Sequence, residues 1–598
     1  MKHQFFKSIF VLSLSSLALF SCSNGESALS DNRYAGVLGD QWGCHDPKLF
    51  QDDDGTYYVY STGWADGVQI RKSKDAQSWE KIDKSPLSSD TRVSDVYGKM
   101  YWDDDFLKWT GCITNEGKRY STAAYHFSSR AESWAPTVIK QDGKYYMFHG
   151  IVKDCQTVGK TAHRAGCITL AISDSPTGAF VPASKYDSSL YAQSSLVRCV
   201  WSNKKNKSPE EIGYQGSFNS CDENWNKGFG TIDPEFVMDV ATGELYKTKI
   251  GERDCYAMTY GSWLGGIALV YVDAKTLKGV CTKAGVSTFD GKHYEVGDEL
   301  DCPLDSIEGN QGVKIAGGSG AAYEGAQVIF NSDTGYFYVF VSMGNLFHEY
   351  RVGVGRSSDI EGPYLDTSGV SMSFSTASDA SKYHNVGGKI LGAWQFGENA
   401  GDEYGFRAPG GQSILRDNGG HILLSNHTRT NYFPTGNFAL QVHQMFFTTD
   451  GWPVLNINDF AGEAATLQKI SKRDIAGKYL CNITRRASHN DFIETTDGNT
   501  VEFNAADERE SLSKLITLSS GGKISGAYTG SWTTDGNGNI TISLYENGEF
   551  AGEFEGIVMK ARDNARKEGK NCITTTFSSV CAKEEGSHAG EYLFGNKI

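Results

Sequence analysis

Residues 46–63, DPKLFQDDDGTYYVYSTG, are the first copy of a phrase that recurs about every 90 residues along this chain of 598 residues. The later copies begin at Ala135, Asp233, Glu324 and Gly411. Each copy has an apolar strand, a turn rich in Asp, Asn and Gly, and a second strand rich in aromatic and β-branched residues. A period of this regularity predicts a repeat architecture in which every copy forms the same unit.

Each unit continues past its second strand with another run of alternating apolar and polar residues, followed by a turn rich in Gly or Asp. Four strands per unit and five units predict a five-bladed β-propeller over residues 36–465. A linear solenoid is the structural alternative. It is disfavoured because propeller blades are four-stranded and because the first and last units have no obvious polar cap.

The pattern changes near residue 475. Residues 475–598 contain short alternating strands such as GKYLCNITR and GNITISLYE, and they predict a separate small β-barrel or sandwich without a catalytic cluster. We expect this part to pack against the propeller rather than to bind sugar independently. The whole chain is predicted to be all-β, which its 68 glycines and 12 prolines suit.

The first 22 residues predict export. Lys2 and Lys7 precede an apolar run over residues 9–20 that is too short to span a bilayer. The run ends in LFSC, which resembles a bacterial lipoprotein cleavage box, so Cys22 is the predicted lipidation site and residues 23–35 form a linker. The protein would then be anchored to a membrane, at the outer membrane, the cell surface or the periplasm. A plain signal peptide with an incidental cysteine is the alternative.

Twelve cysteines follow Cys22, and an even number in an exported chain predicts disulfides. No pair has the CxxC spacing of a structural zinc site. Nine of the twelve precede residue 460, so either one bridge joins the two domains or two thiols stay free. The spacings favour three local pairs, which are Cys155/Cys167, Cys199/Cys221 and Cys572/Cys581.

The formal net charge of −15 argues against a nucleic-acid partner, because phosphate backbones are bound by clustered Lys and Arg. An acidic surface is compatible with a neutral polymer such as a polysaccharide. Ordinary solubility explains the charge equally well, so the charge selects no ligand by itself.

Acidic residues head three of the five copies, at Asp46, Asp233 and Glu324. If the units close into a ring, residues at the same phase of the repeat face a common axis, and these carboxyl groups converge. Burying three carboxylates without purpose would be costly. A glycosidase needs one ionised carboxylate to activate water and one protonated carboxyl group to give a proton to the leaving oxygen. A third carboxyl group can hold the pKa values of the first two apart. The alternative, that these are ordinary turn residues, suits a single copy better than three.

The phrases HDPKLFQDDDGTYYVYSTG, TIDPEFVMDVATGELY and YEGAQVIFNSDTGYFYVF resemble glycoside hydrolase family 43, and more closely its endo-α-1,5-L-arabinanase branch. The resemblance covers residues 40–460, and the tail is similar to the small β domain of long arabinanases. The phrases TYGSWLGGIAL from Thr259 and DGWPV from Asp450 are typical of this branch. The resemblance implies an inverting hydrolase on a five-bladed propeller, with arabinan or arabino-oligosaccharides as its substrate.

By the same resemblance, Asp46 is the general base, Asp233 the pKa modulator and Glu324 the general acid. Inversion requires room for a water molecule, so the carboxyl groups of Asp46 and Glu324 are expected about 6.5–9.5 Å apart. Exo-acting arabinofuranosidases and β-xylosidases share the propeller and remain open. Retaining fructan hydrolases are disfavoured, because they show NDP, RDP and EC where this chain has HDP, IDP and EG. The alternative to an enzyme is a non-catalytic propeller that binds glycans.

Three further residues are predicted to bind substrate. Trp134 directly precedes the second copy and could stack on an apolar sugar face. His45 neighbours the presumed base but could equally point the opposite way along its strand. Gln412 stands at the head of the fifth copy.

Arabinanases of this type commonly hold a metal ion, often calcium, in the channel beneath the active site. Many relatives have a PGH-type phrase at the head of the fifth repeat, whereas this chain reads APGGQS, with Gly411 and Gln412 there. His427, in the phrase SNHTR, matches the histidine of the YHTR-type phrase of long arabinanases and is the predicted metal ligand. We expect no organic cofactor, and we expect a monomer.

Overall fold

The computed structural model describes the following residues of the chain: 39–63, 68–82, 125–127, 132–157, 163–198, 229–263, 265–287, 289–304, 306–307, 309–346, 350–396, 405–430, 438–462, 469–485, 492–494, 501–503, 513–564, 573–582 and 588–598. Nearly all regular structure in these ranges is β-strand, which confirms the predicted all-β class. Three helices of four residues each are α1 (Ala183–Tyr186), α2 (Ala377–Ala380) and α3 (Lys472–Ile475). No helix in the described ranges has the length and apolarity to cross a membrane.

The first two blades are antiparallel sheets. Blade 1 pairs its strands in chain order: β1 (His45–Gln51), β2 (Tyr57–Thr62), β3 (Val68–Ser73) and β4 (Glu80–Ile82). Blade 2 has β7 and β8 at its centre and is formed by β5 (Tyr125–Phe127), β6 (Glu132–Gln141), β7 (Lys144–Thr157), β8 (His163–Ser173), β9 (Val181–Pro182) and β10 (Ser195–Arg198).

Blades 3 and 4 are connected through a shared edge, because two short strands of the third unit join the sheet of the fourth. The third unit contains β11 (Glu235–Phe236), β12 (Met238–Asp239), β13 (Glu244–Leu245), β14 (Lys247–Ile250), β15 (Arg253–Tyr260), β16 (Ile267–Asp273), β17 (Gly285–Val286), β18 (His293–Tyr294) and β19 (Val313–Ala316). Blade 4 contains β20 (Tyr323–Asn331), β21 (Tyr336–Met343), β22 (Arg351–Ser357) and β23 (Gly388–Leu391). Strand β12 pairs with β20 in parallel.

Blade 5 completes the propeller, and a closed barrel follows it, as predicted. Blade 5 contains β24 (Trp394–Gln395), β25 (Gly405–Arg416), β26 (Ile422–Thr430), β27 (Ala439–Phe447) and β28 (Pro453–Leu455). The barrel closes in the order β29 (Gly477–Thr484), β32 (Lys514–Leu518), β33 (Lys523–Gly526), β34 (Thr529–Thr534), β35 (Asn539–Glu546), β36 (Glu549–Arg562), β37 (Ile573–Val580) and β38 (Tyr592–Lys597). A separate two-stranded ribbon is formed by β30 (Phe492–Glu494) and β31 (Val501–Phe503).

The blades are stabilised by apolar residues on both of their faces. All six residues of β2 are buried, because each face of a blade is covered by a neighbouring blade. One apolar cluster joins Leu49 of β1 to Ile414 and Leu415 of β25, so blades 1 and 5 share a core. The aromatic and β-branched residues that mark the repeat are therefore the residues that hold neighbouring blades together.

The ring is closed by contacts between the first and last blades. Trp42 forms a β-bridge with Ala439, and the amide of Gly43 donates to the carbonyl of Phe438 at 2.7 Å. The hydroxyl of Tyr57 donates to a carboxylate oxygen of Asp417 at 2.7 Å. Because 360 residues separate this buried pair along the chain, the hydrogen bond contributes to closure rather than to either blade alone.

Replacing Tyr57 with phenylalanine is expected to lower the free energy of unfolding by about 1–3 kcal/mol, because the buried Asp417 carboxylate loses one of its donors. Urea denaturation would measure the change. Tyr545→Phe is the matched control, since this tyrosine is 43% exposed. Equal stability of the two variants would contradict a role of this hydrogen bond in closure.

The barrel packs its interior with large side chains and rests on the propeller, as expected. Trp532, Tyr479 and Phe577 lie in its buried core. At the seam, the Asn458 amide donates to the carbonyl of Arg562 at 2.7 Å and to the Asn596 side chain at 2.6 Å. These contacts link the end of the propeller segment to two strands of the barrel, and they support a packing role for the last domain.

Five cysteines of the described residues carry buried free thiols, so the expectation of general pairing is wrong for them. They lie within apolar clusters, where each thiol behaves as a small hydrophobe. Of the three predicted pairs, Cys199, Cys221, Cys572 and the side chain of Cys155 lie outside the described residues, and these pairings stay predictions. The five free thiols are those of Cys44, Cys255, Cys281, Cys302 and Cys481.

Candidate active site

Each inner strand of the propeller has a left-handed residue near its start, where the chain enters the channel mouth. Four of the five strands also shift register there, as in a β-bulge, which re-aims side chains. The left-handed residues are Asp46 (φ 51°), Ala135 (φ 42°), Asp233 (φ 59°), Gly325 (φ 58°) and Gly411 (φ 58°).

The left-handed residues show that one predicted detail is wrong: the three acidic residues do not all occupy the same position of the repeat. Asp46 and Asp233 occupy the left-handed position themselves, whereas Glu324 stands one residue before it, in the position of His45. The difference has a steric reason, because aspartate tolerates left-handed backbone better than glutamate, and glycine takes it most readily. In blade 4 the left-handed position is therefore filled by Gly325.

The three acidic residues nevertheless lie close enough to act on one another. The amide of Gly325, next to Glu324, donates to Asp233 Oδ2 at 3.1 Å. The charges of Asp46 and Glu324 both raise the pKa of Asp233, and the charge of Asp46 raises the pKa of Glu324. Such mutual effects require short separations, so side chains 278 residues apart in sequence share one site.

Asp46 is held as an ionised carboxylate. Its Oδ2 accepts hydrogen bonds from His45 Nδ1 at 2.6 Å and from the Thr62 hydroxyl at 2.7 Å. Burial raises the pKa of Asp46, but the His45 ring and the Thr62 hydrogen bond act against burial, and the net pKa is lowered. The Thr62 side chain is itself held in place, because its hydroxyl oxygen accepts a hydrogen bond of 2.9 Å from the backbone amide of Ala135. This carboxylate can accept a proton from water.

A stack of rings supports Asp46. His45 lies parallel to His427 at 4.3 Å between ring centroids, and both rings meet the edge of Phe438. His45 therefore points toward Asp46 rather than away from it. A Cβ at Gly411 would lie 2.6 Å from Asp46 Oδ1 and 2.7 Å from His427 Nδ1, so the fifth copy requires glycine here for space as well as for backbone conformation.

Glu324 is half-buried, in a setting suited to a proton donor. Tyr350 Oη donates to its Oε1 at 2.5 Å, and Ser262 Oγ donates to its Oε2 at 2.7 Å. Burial and the charge of Asp46 raise the pKa of Glu324, and the hydrogen bonds from Tyr350 and Ser262 lower it only in part. The net pKa is raised, so the carboxyl group keeps its proton to higher pH than an exposed glutamate.

A buried ion pair lies next to the acids, and the sequence analysis did not identify it. Lys48 Nζ lies 3.1 Å from Glu235 Oε2, and both side chains are almost completely buried. Glu235 Oε1 also accepts the Thr137 hydroxyl at 2.8 Å. Lys48 lowers the pKa of Asp233, against the larger raising effects of burial and of the other two acids. The sequence signal was present, since Lys48 and Glu235 each follow an acidic head by two residues.

The structure contradicts the prediction that Gln412 binds substrate. The residue is fully buried, its Nε2 donates to the Gly325 carbonyl at 2.7 Å, and its Oε1 accepts the Ser342 hydroxyl at 2.8 Å. Both amide atoms are used between blades 4 and 5. Trp134 is half-buried and sits at the position of its blade that corresponds to His45, so its proposed contact with a sugar stays a prediction.

His427 offers a nitrogen that could hold a cation. The ring is fully buried, and its Nε2 has no hydrogen-bond partner in the part of the chain that the structure describes. Burial holds the pKa of His427 well below its usual value, so the ring is neutral, as a metal ligand must be. Nδ1 accepts the amide of Asp46 at 3.1 Å and lies 3.5 Å from Asp46 Oδ1. With Nδ1 as an acceptor, the neutral ring carries its hydrogen on Nε2. Nε2 could hold a cation if this hydrogen moved to Nδ1, which would then donate to Asp46 Oδ1 instead of accepting the Asp46 amide.

Comparison with known proteins agrees with this architecture. Residues 458–588 match the family model GH43_C, a C-terminal lipocalin-like domain. An extracellular endo-α-(1→5)-L-arabinanase of Thermotoga petrophila is 26% identical, over 89% of this chain and 90% of that protein. The extracellular endo-α-(1→5)-L-arabinanase 2 of Bacillus subtilis is 25% identical, over 92% of each chain. The crystal structure of an endo-1,5-α-L-arabinanase from Thermotoga petrophila has the same fold, with a TM-score of 0.62 at 23% identity over 93% of this chain and 98% of that one.

Proposed function

We infer that this chain is a glycoside hydrolase of family 43, and we propose that it cleaves internal α-1,5-linked arabinofuranosyl bonds of arabinan with inversion. The observation that carries the proposal is the convergence of three acidic side chains, one buried (Asp233) and two half-buried (Asp46 and Glu324), whose pKa values are driven apart. The pKa of Asp46 is lowered, whereas the pKa values of Glu324 and Asp233 are raised. Relatives that cover about nine tenths of the chain bear the name of endo-arabinanases, which supports this choice of substrate.

In the proposed reaction, Asp46 accepts a proton from a water molecule as the water oxygen forms a bond to the anomeric carbon. Glu324 gives its proton to the glycosidic oxygen as the old bond breaks. Burial and the charge of Asp46 raise the pKa of the acid. Asp233, the proposed modulator, holds the Gly325 amide next to the acid. The leaving chain departs with the Glu324 proton, and the water proton stays on Asp46 until solvent removes it.

We also propose that His427 holds a calcium ion through Nε2. A bound cation would supply positive charge close to Asp46 and so favour its ionised form. The ring proton would then lie on Nδ1, which would give up the hydrogen bond from the Asp46 amide and donate to Asp46 Oδ1 instead. The relatives' names describe extracellular enzymes, which supports export of this chain. We propose a lipid anchor at Cys22, which lies outside the described residues.

Treatment with a chelator is expected to reduce hydrolysis of arabinan about 10-fold or more, and added calcium is expected to restore it, because the cation and Asp46 share the His427 ring. Metal content measured by mass spectrometry should fall and recover in parallel. His427→Gln is expected to lose both the bound calcium and the response to chelator. Full activity of a metal-free enzyme would contradict the proposal.

The proposed function is tested by incubating the full chain with linear arabinan. The expected result is an early mixture of medium-length oligosaccharides, and fresh products whose anomeric configuration, read by proton NMR, is opposite to that of the bond cleaved. Release of arabinose alone would favour exo action. Turnover of xylan or fructan without turnover of arabinan would overturn the proposed substrate.

A further inference from the structure

Two hydroxyl groups hold the carboxyl group of Glu324 from opposite sides, and the proposed chemistry assigns neither of them a role. Tyr350 Oη donates to Oε1 at 2.5 Å, and Ser262 Oγ donates to Oε2 at 2.7 Å. Tyr350 directly precedes β22, whereas Ser262 follows β15 of the third blade and forms a β-bridge with Glu324 itself. The acid is therefore clamped by residues of two blades.

Tyr350 is fixed in place by its own surroundings. Its ring lies parallel to that of His427, with 5.6 Å between centroids and 14° between planes. A Cβ at Gly410 would come within 2.3 Å of the tyrosine ring, so the absence of a side chain at Gly410 leaves the space that the ring fills. Tyr350 is only 5% exposed, and its hydroxyl donates to Glu324 Oε1. The fixed ring therefore holds a hydrogen donor at this oxygen.

The two donors make the oxygens of Glu324 chemically unequal, because the tyrosine ring is fixed whereas the serine hydroxyl can turn. The tyrosine hydrogen occupies one of the two lone pairs of Oε1, which favours the transferable proton on Oε2. The serine hydroxyl at Oε2 can rotate. It can donate to Oε2 once the proton has passed to the leaving oxygen, and so stabilises the carboxylate that is left behind.

We propose that Tyr350 and Ser262 are positioning residues of the general acid, with Tyr350 directing the transferable proton to Glu324 Oε2 and Ser262 stabilising that oxygen after transfer. This inference rests on the proposed role of Glu324. It also gives a function to the phrase TYGSWLGGIAL, because Ser262 is its serine.

The test compares Tyr350→Phe, Ser262→Ala and the wild type on linear arabinan and on a nitrophenyl arabino-oligosaccharide. The nitrophenolate leaving group departs without a proton, so only the natural substrate needs the acid. Each variant is expected to lower kcat on arabinan about 10- to 100-fold with little change in KM, since a hydrogen bond to a charged group is lost. The loss on the nitrophenyl substrate should be much smaller. The alkaline limb of the pH profile should move to higher pH, because both hydrogen bonds lower the pKa of Glu324.

Tyr364→Phe is the matched control. This tyrosine is also fully buried, but its hydroxyl donates to the Ile360 carbonyl, at 2.8 Å. The control should leave the substrate ratio and the pH profile unchanged. Equal losses on both substrates with an unshifted pH profile would overturn the proposal, as would full activity of both variants. Should Tyr350→Phe fail to fold, Ser262→Ala decides alone by the same two measurements. A wild type inactive on both substrates would instead refute the proposed function.

Discussion

Asp46→Asn is expected to reduce hydrolysis of linear arabinan by about 10²–10⁴-fold, the range that general base catalysis contributes. The amide has nearly the same shape as the carboxylate, but it cannot accept the proton of the attacking water. The partners of Oδ2, His45 and Thr62, can still donate to the amide oxygen, so the local structure is expected to persist. Reducing-end assays would measure the loss, and a nitrophenyl leaving group should not relieve it, because activation of water is needed with every substrate.

Asp53→Asn is the control for this substitution. This substitution removes the same charge as Asp46→Asn, but the Asp53 side chain is 85% exposed at a hairpin tip. The Asp53→Asn variant should retain activity close to that of the wild type. Thermal unfolding of Asp46→Asn should occur at the same or a somewhat lower temperature than that of the parent, since the lowered pKa of Asp46 means that the folded state favours the ionised carboxylate. Near-normal turnover by Asp46→Asn would refute its assignment as the base.

Glu324→Gln is expected to lower kcat on arabinan by a similar factor, about 10²–10⁴-fold, but with a different dependence on the leaving group. An alkoxide is a poor leaving group and requires a proton, whereas a nitrophenolate does not. The variant should therefore keep most of its activity on a nitrophenyl arabino-oligosaccharide. Comparison of the two substrates separates this variant from Asp46→Asn.

The pH profile gives a second measurement on Glu324. The acid acts only in its protonated form, and its pKa is raised, so the wild type loses activity as pH rises through this elevated value. Glu324→Gln has no such proton to lose. Its residual activity on the nitrophenyl substrate should lack the alkaline fall. If the variant still lost activity at alkaline pH, another group, such as Asp233, would control the alkaline side of the pH profile.

Much of the fold was predictable from local pattern. The repeated phrase predicted five blades, because alternating aromatic and β-branched residues between turns specify strands wherever they occur. The change of pattern near residue 475 predicted the separate barrel. Asp46, Asp233 and Glu324 could be selected because repeats in a ring place equivalent positions around one axis. Each of these inferences needs only the order and spacing of residues along the chain.

The errors lie where two distant segments meet. Gln412 was predicted to face substrate, but its amide group bonds Gly325 and Ser342 of the neighbouring blade. Glu324 was predicted at the same position of the repeat as Asp46 and Asp233, but it stands one residue earlier. In its blade the left-handed residue is Gly325. The even number of cysteines said nothing about whether any two thiols approach each other. None of these contacts leaves a periodic signal in the sequence.

The sequence alone determined the number of blades and selected the three acidic residues as candidates, because these follow from a local pattern repeated five times. Only the tertiary structure decided how the acids are tuned. His427 reaches Asp46 across 381 residues, and Lys48 reaches Glu235 from a different blade. Such contacts form only when the ring closes and water is excluded, so the protonation of each carboxyl group is a property of the assembled channel and not of its own segment.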